Sequence, residues 1–209
     1  AGKFTFNIVI MALIIIGGIG FTVWKEVADK VRSIFSKDPI PKARFSLHAK
    51  LALITTGVLL LSGTLIFFAA EYNNPQTLGN MPLPQKLLAA AFQSVTLRTA
   101  GFSTIAQGGL REASKLLSCI FMLIGGSPGG TAGGIKTVTV AIILCSVWSI
   151  MKNRKKIVVF ERVISVLILQ KALTIIVLML TLWFAGVATL SIVEAESAFP
   201  HSISDIIFE

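Results

Sequence analysis

Apolar residues run along this chain in long blocks, not at the helical or alternating spacing of a soluble domain. Four blocks reach the roughly 20 residues needed to span a bilayer: residues 4–24, 47–70, 116–150 and 172–193. Each reads as a membrane helix, and the third is too long and too broken for one. Residues 116–124 make about two and a half turns, a glycine-rich stretch follows, and 138–150 resume the helix. Neither half crosses alone, but together, with the break near mid-membrane, they do. Between the second and third blocks lies the polar, proline-rich "EYNNPQTLGNMPLP", then "QKLLAAAFQSVTLRTAGFSTIAQGG". Residues 85–97 read as helix, with Pro84 well placed at its start. A helix of that length is about 20 Å long, too short for a hydrocarbon core of about 30 Å. The chain must nevertheless return, because Arg111, Glu112 and Lys115 precede the third block, which ends in a basic cluster. The pattern predicts a re-entrant half-helix with a non-helical return. Such backbone is tolerated at membrane depth only when buried in protein or lining a water-filled cavity, so it points to a pore.

The fold class expected is an all-α membrane protein built of helix–re-entrant pore helix–helix repeats, with a broken third spanning helix. Residues 1–35 form the last helix of a preceding repeat. Residues 47–150 form a complete repeat: pore helix 85–97, filter 98–103, and broken helix 112–150 with an intramembrane loop at 125–137. Residues 157–209 begin a following repeat. There "IVVFERVISVLILQK" opens at the membrane interface, Lys171 snorkels towards headgroups, and "FPHSISDIIFE" starts another short helix.

Composition agrees. The 209 residues are 54% hydrophobic and 14% charged, with mean hydropathy +0.82, whereas soluble domains carry about 25% charged residues. Net charge is +9, concentrated between the first and second blocks and between the third and fourth. By the positive-inside rule, segments 25–50 and 151–162 are cytoplasmic, which leaves the filter mouth extracellular. Flanking membrane spans explains these basic clusters without nucleic acid. Cys119 and Cys145 fall in apolar runs and read as packing residues. The chain begins with Ala and shows no cleavable signal peptide, so a fragment or a trimmed chain is expected.

Candidate chemistry sits in two places. Thr99-Ala100-Gly101-Phe102-Ser103 has the order Thr, small, Gly, aromatic, small, and can be laid on the potassium-channel pattern Thr-Val-Gly-Tyr-Gly. A dehydrated cation needs carbonyl oxygens in place of its water. Gly101 permits the backbone angles that aim them, and Thr99 and Ala100 are small enough for the backbone to line a pore. Thr99, Ala100 and Gly101 are therefore the candidate potassium ligands. Phe102 is expected to wedge against neighbouring helices. Arg98 is read as pairing behind the loop with a carboxylate or carbonyls, the alternative being a direct role in selectivity. Glu71 and Glu112 are read as solvated acids near the outer mouth.

The second place is "LIGGSPGGTAGGIKT". It nearly spells a phosphate-binding loop, but Ile135 stands between Gly134 and Lys136, no strand precedes it, and both flanks are apolar. An NTPase, and enzymatic function generally, is not expected. Glycines and Pro128 break the helix, and Lys136 at membrane depth must face a cavity, a carboxylate or carbonyls. Gly125, Gly126, Ser127, Pro128, Gly129, Gly130, Thr131, Gly133, Gly134 and Lys136 form a candidate gate of mobile backbone below the filter. A packing kink between helices is the plainer reading of the same stretch. A secondary transporter with a midplane substrate site, or a non-conducting scaffold piece, are alternatives for the whole.

"SVTLRTAGFSTI" followed by "GGSPGGTAGGIKT" resembles the third repeat of the Trk/Ktr/HKT superfamily of cation transporters, most nearly the bacterial Ktr-type membrane subunit. "GGIGF", residues 17–21, resembles the end of that family's second repeat. The resemblance implies four repeats around one pore, each with a filter loop centred on a glycine, here Gly101. It also implies potassium as substrate, no cofactor in this chain, and an intramembrane gate within residues 125–136. The implied assembly is a homodimer of membrane subunits, regulated by a cytoplasmic ring of RCK (KtrA) type subunits that carries the regulatory nucleotide. This sequence holds one complete repeat, and one loop cannot surround an ion.

Overall fold

The structure, a computed structural model, describes residues 2–35, 44–154, 157–160 and 162–194. The described residues form seven α-helices, one short 3-10 turn (Gln107–Gly109) and one short hairpin: α1 (Gly2–Ile19), α2 (Phe21–Phe35), α3 (Leu47–Glu71), α4 (Leu83–Thr96), α5 (Glu112–Leu123), α6 (Thr137–Met151), β1 (Val158–Val159) paired antiparallel with β2 (Arg162–Val163), and α7 (Val166–Glu194). The protein is all-α apart from that hairpin. Helices α3 and α7 are each long and apolar enough to cross a membrane, and the bent pair α1–α2 passes the same test if taken together.

The first block does not run straight to residue 24. It stops at Ile19, and α2 leaves at 101° to α1. The hinge is Gly20, whose φ of +89° no helical residue adopts. Beyond it the composition changes too: α2 carries Lys25, Glu26, Asp29, Lys30 and Arg32 around a buried Val23. Its Glu26 carboxylate accepts from Ser46 N (2.8 Å) and Ser46 Oγ (2.7 Å). Ser46 also caps α3, its Oγ accepting from Ala49 N at 3.1 Å. One serine thus ties the amphipathic helix to the start of the second spanning helix.

The half-helix is present and begins earlier than 85, with Pro82 as N-cap and Pro84 in its first turn. At 14 residues it is about 21 Å long. It lies along α3, where Ser94 Oγ donates to Leu60 O at 3.0 Å. Gly63 permits the approach, since a Cβ there would press on Ser94 and come within 3.0 Å of Phe121. A buried cluster of Phe67, Leu78, Ala89, Ala90, Leu97, Ile105, Leu110 and Phe121 holds α3, α4 and α5 together. A second cluster, including Ile19, Val23, Ala49, Leu51, Ala52, Val138 and Ala141, joins α1, α2, α3 and α6.

The third block is two helices, α5 and α6, with residues 124–136 between them, so Thr137 belongs to α6 and not to the loop. The fourth block carries the hairpin before its helix starts at Val166, and Lys171 lies exposed in the second turn of α7. The expected short helix in the tail lies outside the described residues. Cys119 and Cys145 lie within α5 and α6 as thiols, and Cys119 Sγ donates to Lys115 O at 3.2 Å.

Glu71 is not a solvated acid. It is fully buried and accepts from Asn74 Nδ2 (2.6 Å), Thr77 Oγ1 (2.7 Å), Arg111 N (3.0 Å) and Ser114 Oγ. Asn74 Nδ2 also donates to Gly109 O at 2.7 Å. One carboxylate therefore gathers the end of α3, the polar segment 72–82, the return after the half-helix and the first turn of α5. Its charge also suits the positive N-terminal end of α5. Glu112 is the exposed acid, paired with Lys115 at 3.2 Å.

Glu71→Ala removes the common acceptor of four groups, three of them otherwise buried or half-buried. A loss of about 3 kcal/mol or more is expected, read as a lower unfolding midpoint in detergent. Glu112→Ala, at an exposed pair worth under about 1 kcal/mol, should shift it little. Equal shifts for the two would show that Glu71 does not organise this end.

Candidate functional site

Helix α4 ends in a tightening turn. Leu97 N donates to Gln93 O (3.2 Å), Arg98 N to Val95 O (3.2 Å) and Ala100 N to Thr96 O (3.0 Å). The chain then enters left-handed backbone twice, at Thr99 (φ +66°) and Gly101 (φ +74°). Gly101 has open space where a Cβ would stand, so it is its backbone angle that suits glycine. For β-branched Thr99 the same region costs roughly 1–3 kcal/mol and must be held by its surroundings. The holding contact is its hydroxyl: Thr99 Oγ1 accepts from Gly133 N at 3.1 Å. Among the described residues no donor reaches the carbonyls of Thr99, Ala100 or Gly101.

These residues border a cavity of about 500 Å³, lined also by Gln93, Thr96, Phe102, Ser103, Gln107 and Met122. Among the described residues Phe102 wedges against no helix, and its ring is largely exposed along the cavity. Its carbonyl is the anchor, accepting from Thr96 Oγ1 at 2.5 Å. A second brace is an amide pair in which Gln93 Nε2 donates to Gln107 Oε1 (2.9 Å) and Gln107 Nε2 to Gln93 Oε1 (3.1 Å). Gln93, Thr96 and Gln107 escaped the sequence reading. A fully buried glutamine in the otherwise apolar "AAAFQSV" was the available signal.

Arg98 is buried, and among the described residues it meets no carboxylate. Its Nη2 donates to Thr56 Oγ1 at 3.3 Å, and its Nε has no hydrogen-bond partner. Arg98 thus ties the chain just before Thr99 to α3 through one hydroxyl.

The glycine stretch is a packed structure. Ile124 and Ile135 form a parallel bridge, with Gly125 N donating to Ile135 O (3.0 Å), Ile135 N to Leu123 O (2.8 Å) and Thr137 N to Gly126 O (3.0 Å). Ser127 and Thr137, both fully buried, share a hydroxyl contact of 3.1 Å. Lys136 finds a carbonyl, its Nζ donating to Ala132 O at 2.7 Å. The loop is closed on itself, and it docks on the α1–α2 bend. Ser127 N donates to Gly18 O (2.8 Å), Thr131 N to Gly17 O (3.1 Å) and Phe21 N to Gly129 O (3.4 Å). A Cβ on Gly126 or Gly130 would meet Gly18 O at 2.7 or 2.8 Å, and one on Gly20 would meet Pro128 O at 2.7 Å. These glycines permit backbone-to-backbone contact more than motion. All ten candidate gate residues belong to this one loop, which meets the candidate filter residues at Thr99.

Comparison with known proteins points one way. A family profile described as TrkH, "Cation transport protein", matches residues 3–209. The Ktr system potassium uptake protein B of Bacillus subtilis (strain 168) is 40% identical over 193 residues, covering 92% of this chain and 41% of that protein. The protein of the same name from Vibrio alginolyticus is 36% identical, covering 79% of this chain and 35% of its own length. The potassium/sodium uptake protein NtpJ of Enterococcus hirae is 34% identical, covering 89% and 39%. The chain thus spans about two fifths of the length of these relatives. The crystal structure of the potassium transporter TrkH from Vibrio parahaemolyticus superposes with a TM-score of 0.54 at 18% identity, covering 91% of this chain and 38% of that one; it shares the fold.

The docking geometry separates glycines that look alike in sequence. Gly126→Ala and Gly130→Ala push a methyl into the Gly18 carbonyl and should each cost about 1–3 kcal/mol. Gly18→Ala places its Cβ in open space within α1 and should be neutral or stabilising by up to about 1 kcal/mol. Unfolding midpoints in detergent check the order, and a Gly18→Ala loss equal to the other two would refute the docked arrangement.

Proposed function

The chain belongs to the TrkH family of cation transport proteins, and from that premise we propose that it carries one filter loop and the gate of a potassium uptake pathway in the cell membrane. Transport, not catalysis, is what the family's description names. Potassium is the substrate, as the names of its relatives say of those proteins. The carbonyls of Thr99, Ala100 and Gly101 form one arc of the ion's coordination, and equivalent loops complete the ring. Residues 125–136 obstruct the path at the Thr99 end. The observation that carries this reading is the bond from Gly133 N to Thr99 Oγ1. It couples the one strained non-glycine residue of the filter segment directly to the intramembrane loop.

On this reading residues 47–150 are a complete repeat, 1–35 end the one before and 157–209 begin the next. Segments 25–50 and 151–162 face the cytoplasm, and the filter mouth faces outward. The membrane subunits pair as a homodimer, and a cytoplasmic RCK-type ring carries the regulatory nucleotide. The two basic segments are the surfaces on this chain whose charge suits cytoplasmic contacts.

Gly101→Ser forces a side chain into left-handed backbone and should lower potassium-over-sodium preference by about tenfold, a differential of about 1.4 kcal/mol. Uptake of the two ions in a host lacking its own potassium transport measures it, and unchanged preference would remove Gly101 from the filter. Deleting residues 129–134 removes the contacts to Phe21, Gly17 and Thr99 and should raise cation flux. Unchanged or lower flux from a variant with a wild-type gel-filtration profile would remove the loop from the gate.

A further inference from the structure

A second cavity, of about 160 Å³, opens at the start of α3 and is lined by Arg44, Phe45, Leu47, Lys50, Phe160 and Arg162. Three of its six lining residues are cations, drawn from two distant stretches of chain. Arg44 and Lys50 flank the first turn of α3, and Arg162 comes from β2. Among the described residues none of the three is in an ion pair; the one pair there is Lys115–Glu112. The acid next to this turn, Glu26, is already engaged by Ser46 N and Oγ. Lys50 Nζ stands 5.3 Å from the centroid of the Phe160 ring, which keeps its ammonium beside the cavity. Like charges gathered in a concavity repel unless an anion joins them.

We propose that this cavity binds the phosphate of an anionic phospholipid headgroup. Arginine forks and a lysine point charge are the donors that recognise phosphate. The cavity lies where spanning helix α3 begins, and the hairpin that lines it leads within three residues into spanning helix α7; headgroups lie at that level. Its other wall is apolar, formed by Phe45, Leu47 and Phe160, with Val158 and Val163 exposed nearby, which suits glycerol and the first acyl carbons. Its volume admits a phosphate but falls below the roughly 300 Å³ at which sites for larger molecules such as nucleotides begin. A lipid held here would clasp the hairpin to α3. It would also reach α2, because Lys30 Nζ stands 4.4 Å from the Phe45 ring. This inference does not rest on the potassium reading.

The test is native mass spectrometry of the protein purified in neutral detergent and titrated with phosphatidylglycerol, phosphatidylcholine or inorganic phosphate. At about fivefold per basic side chain, Arg44→Gln/Arg162→Gln should hold phosphatidylglycerol about thirtyfold more weakly than wild type. Arg44→Lys/Arg162→Lys should lie within about fivefold of wild type, and Lys152→Gln, outside the cavity, should match it. Both arginines are exposed, so the double variant should keep its unfolding midpoint; if it does not, Arg162→Gln alone should weaken binding about fivefold. Equal retention of the two lipids, or undiminished phosphatidylglycerol binding by the glutamine variants, would overturn the site. Inorganic phosphate bound as tightly as phosphatidylglycerol would overturn the lipid as its occupant.

Discussion

The constraint on which this structure turns is that a helix broken inside a membrane leaves backbone groups that lipid cannot satisfy. Among the described residues the helical path breaks at Gly20 and at residues 124–136, and each break answers the other. Where α1 stops, the carbonyls of its last turn look for donors. Ile16 O accepts from the Trp24 indole at 2.8 Å, Gly17 O from Thr131 N and Gly18 O from Ser127 N. Where α5 stops, the loop's own amides look for acceptors and find those same carbonyls. Neither break would be tolerable alone, since each unsatisfied group costs several kcal/mol in hydrocarbon.

That mutual satisfaction places the loop, and the loop in turn holds the segment that begins at Thr99. The loop's far side donates from Gly133 to Thr99, while Glu71, the Gln93–Gln107 pair and the Thr96–Phe102 contact brace the return from its other end. The segment between them keeps free the three carbonyls that the proposed function requires. The bonds made by the scaffold thus fall on Phe102 and on the Thr99 side chain, not on the carbonyls of residues 99–101.

The architecture was legible because it is written in block length. An apolar run too short to cross, followed by charge and then by another run, leaves a re-entrant path as the economical solution, and α4 lies within two residues of where that argument put it. Contacts between distant segments were not legible. "GGIGF" read as the end of a continuous span and "GGSPGG" as a flexible break, because sequence shows a glycine's missing side chain but not the carbonyl that occupies its place. Glu71 was misread for a related reason. A single acid at a helix end looks solvated until the chain brings Thr77, Arg111 and Ser114 around it, across up to 43 positions. Arg98 was read as pairing behind the loop with a carboxylate or carbonyls, and its partner among the described residues is the hydroxyl of Thr56, a residue type that carries no charge signal.

The same constraint bears on how such a loop could open. Moving residues 127–131 off α1 exposes at least the Gly17 and Gly18 carbonyls and the Ser127 and Thr131 amides together. In an apolar surrounding that is several kcal/mol per group, far above what a modest regulatory coupling of 1–3 kcal/mol supplies. The displacement becomes affordable once water reaches those groups, and a water-filled path is also what a hydrated cation needs. On the proposed function, opening and wetting are therefore one event, and the α1–α2 bend, fixed to the loop through Phe21 N and Gly129 O, moves with it or holds it shut.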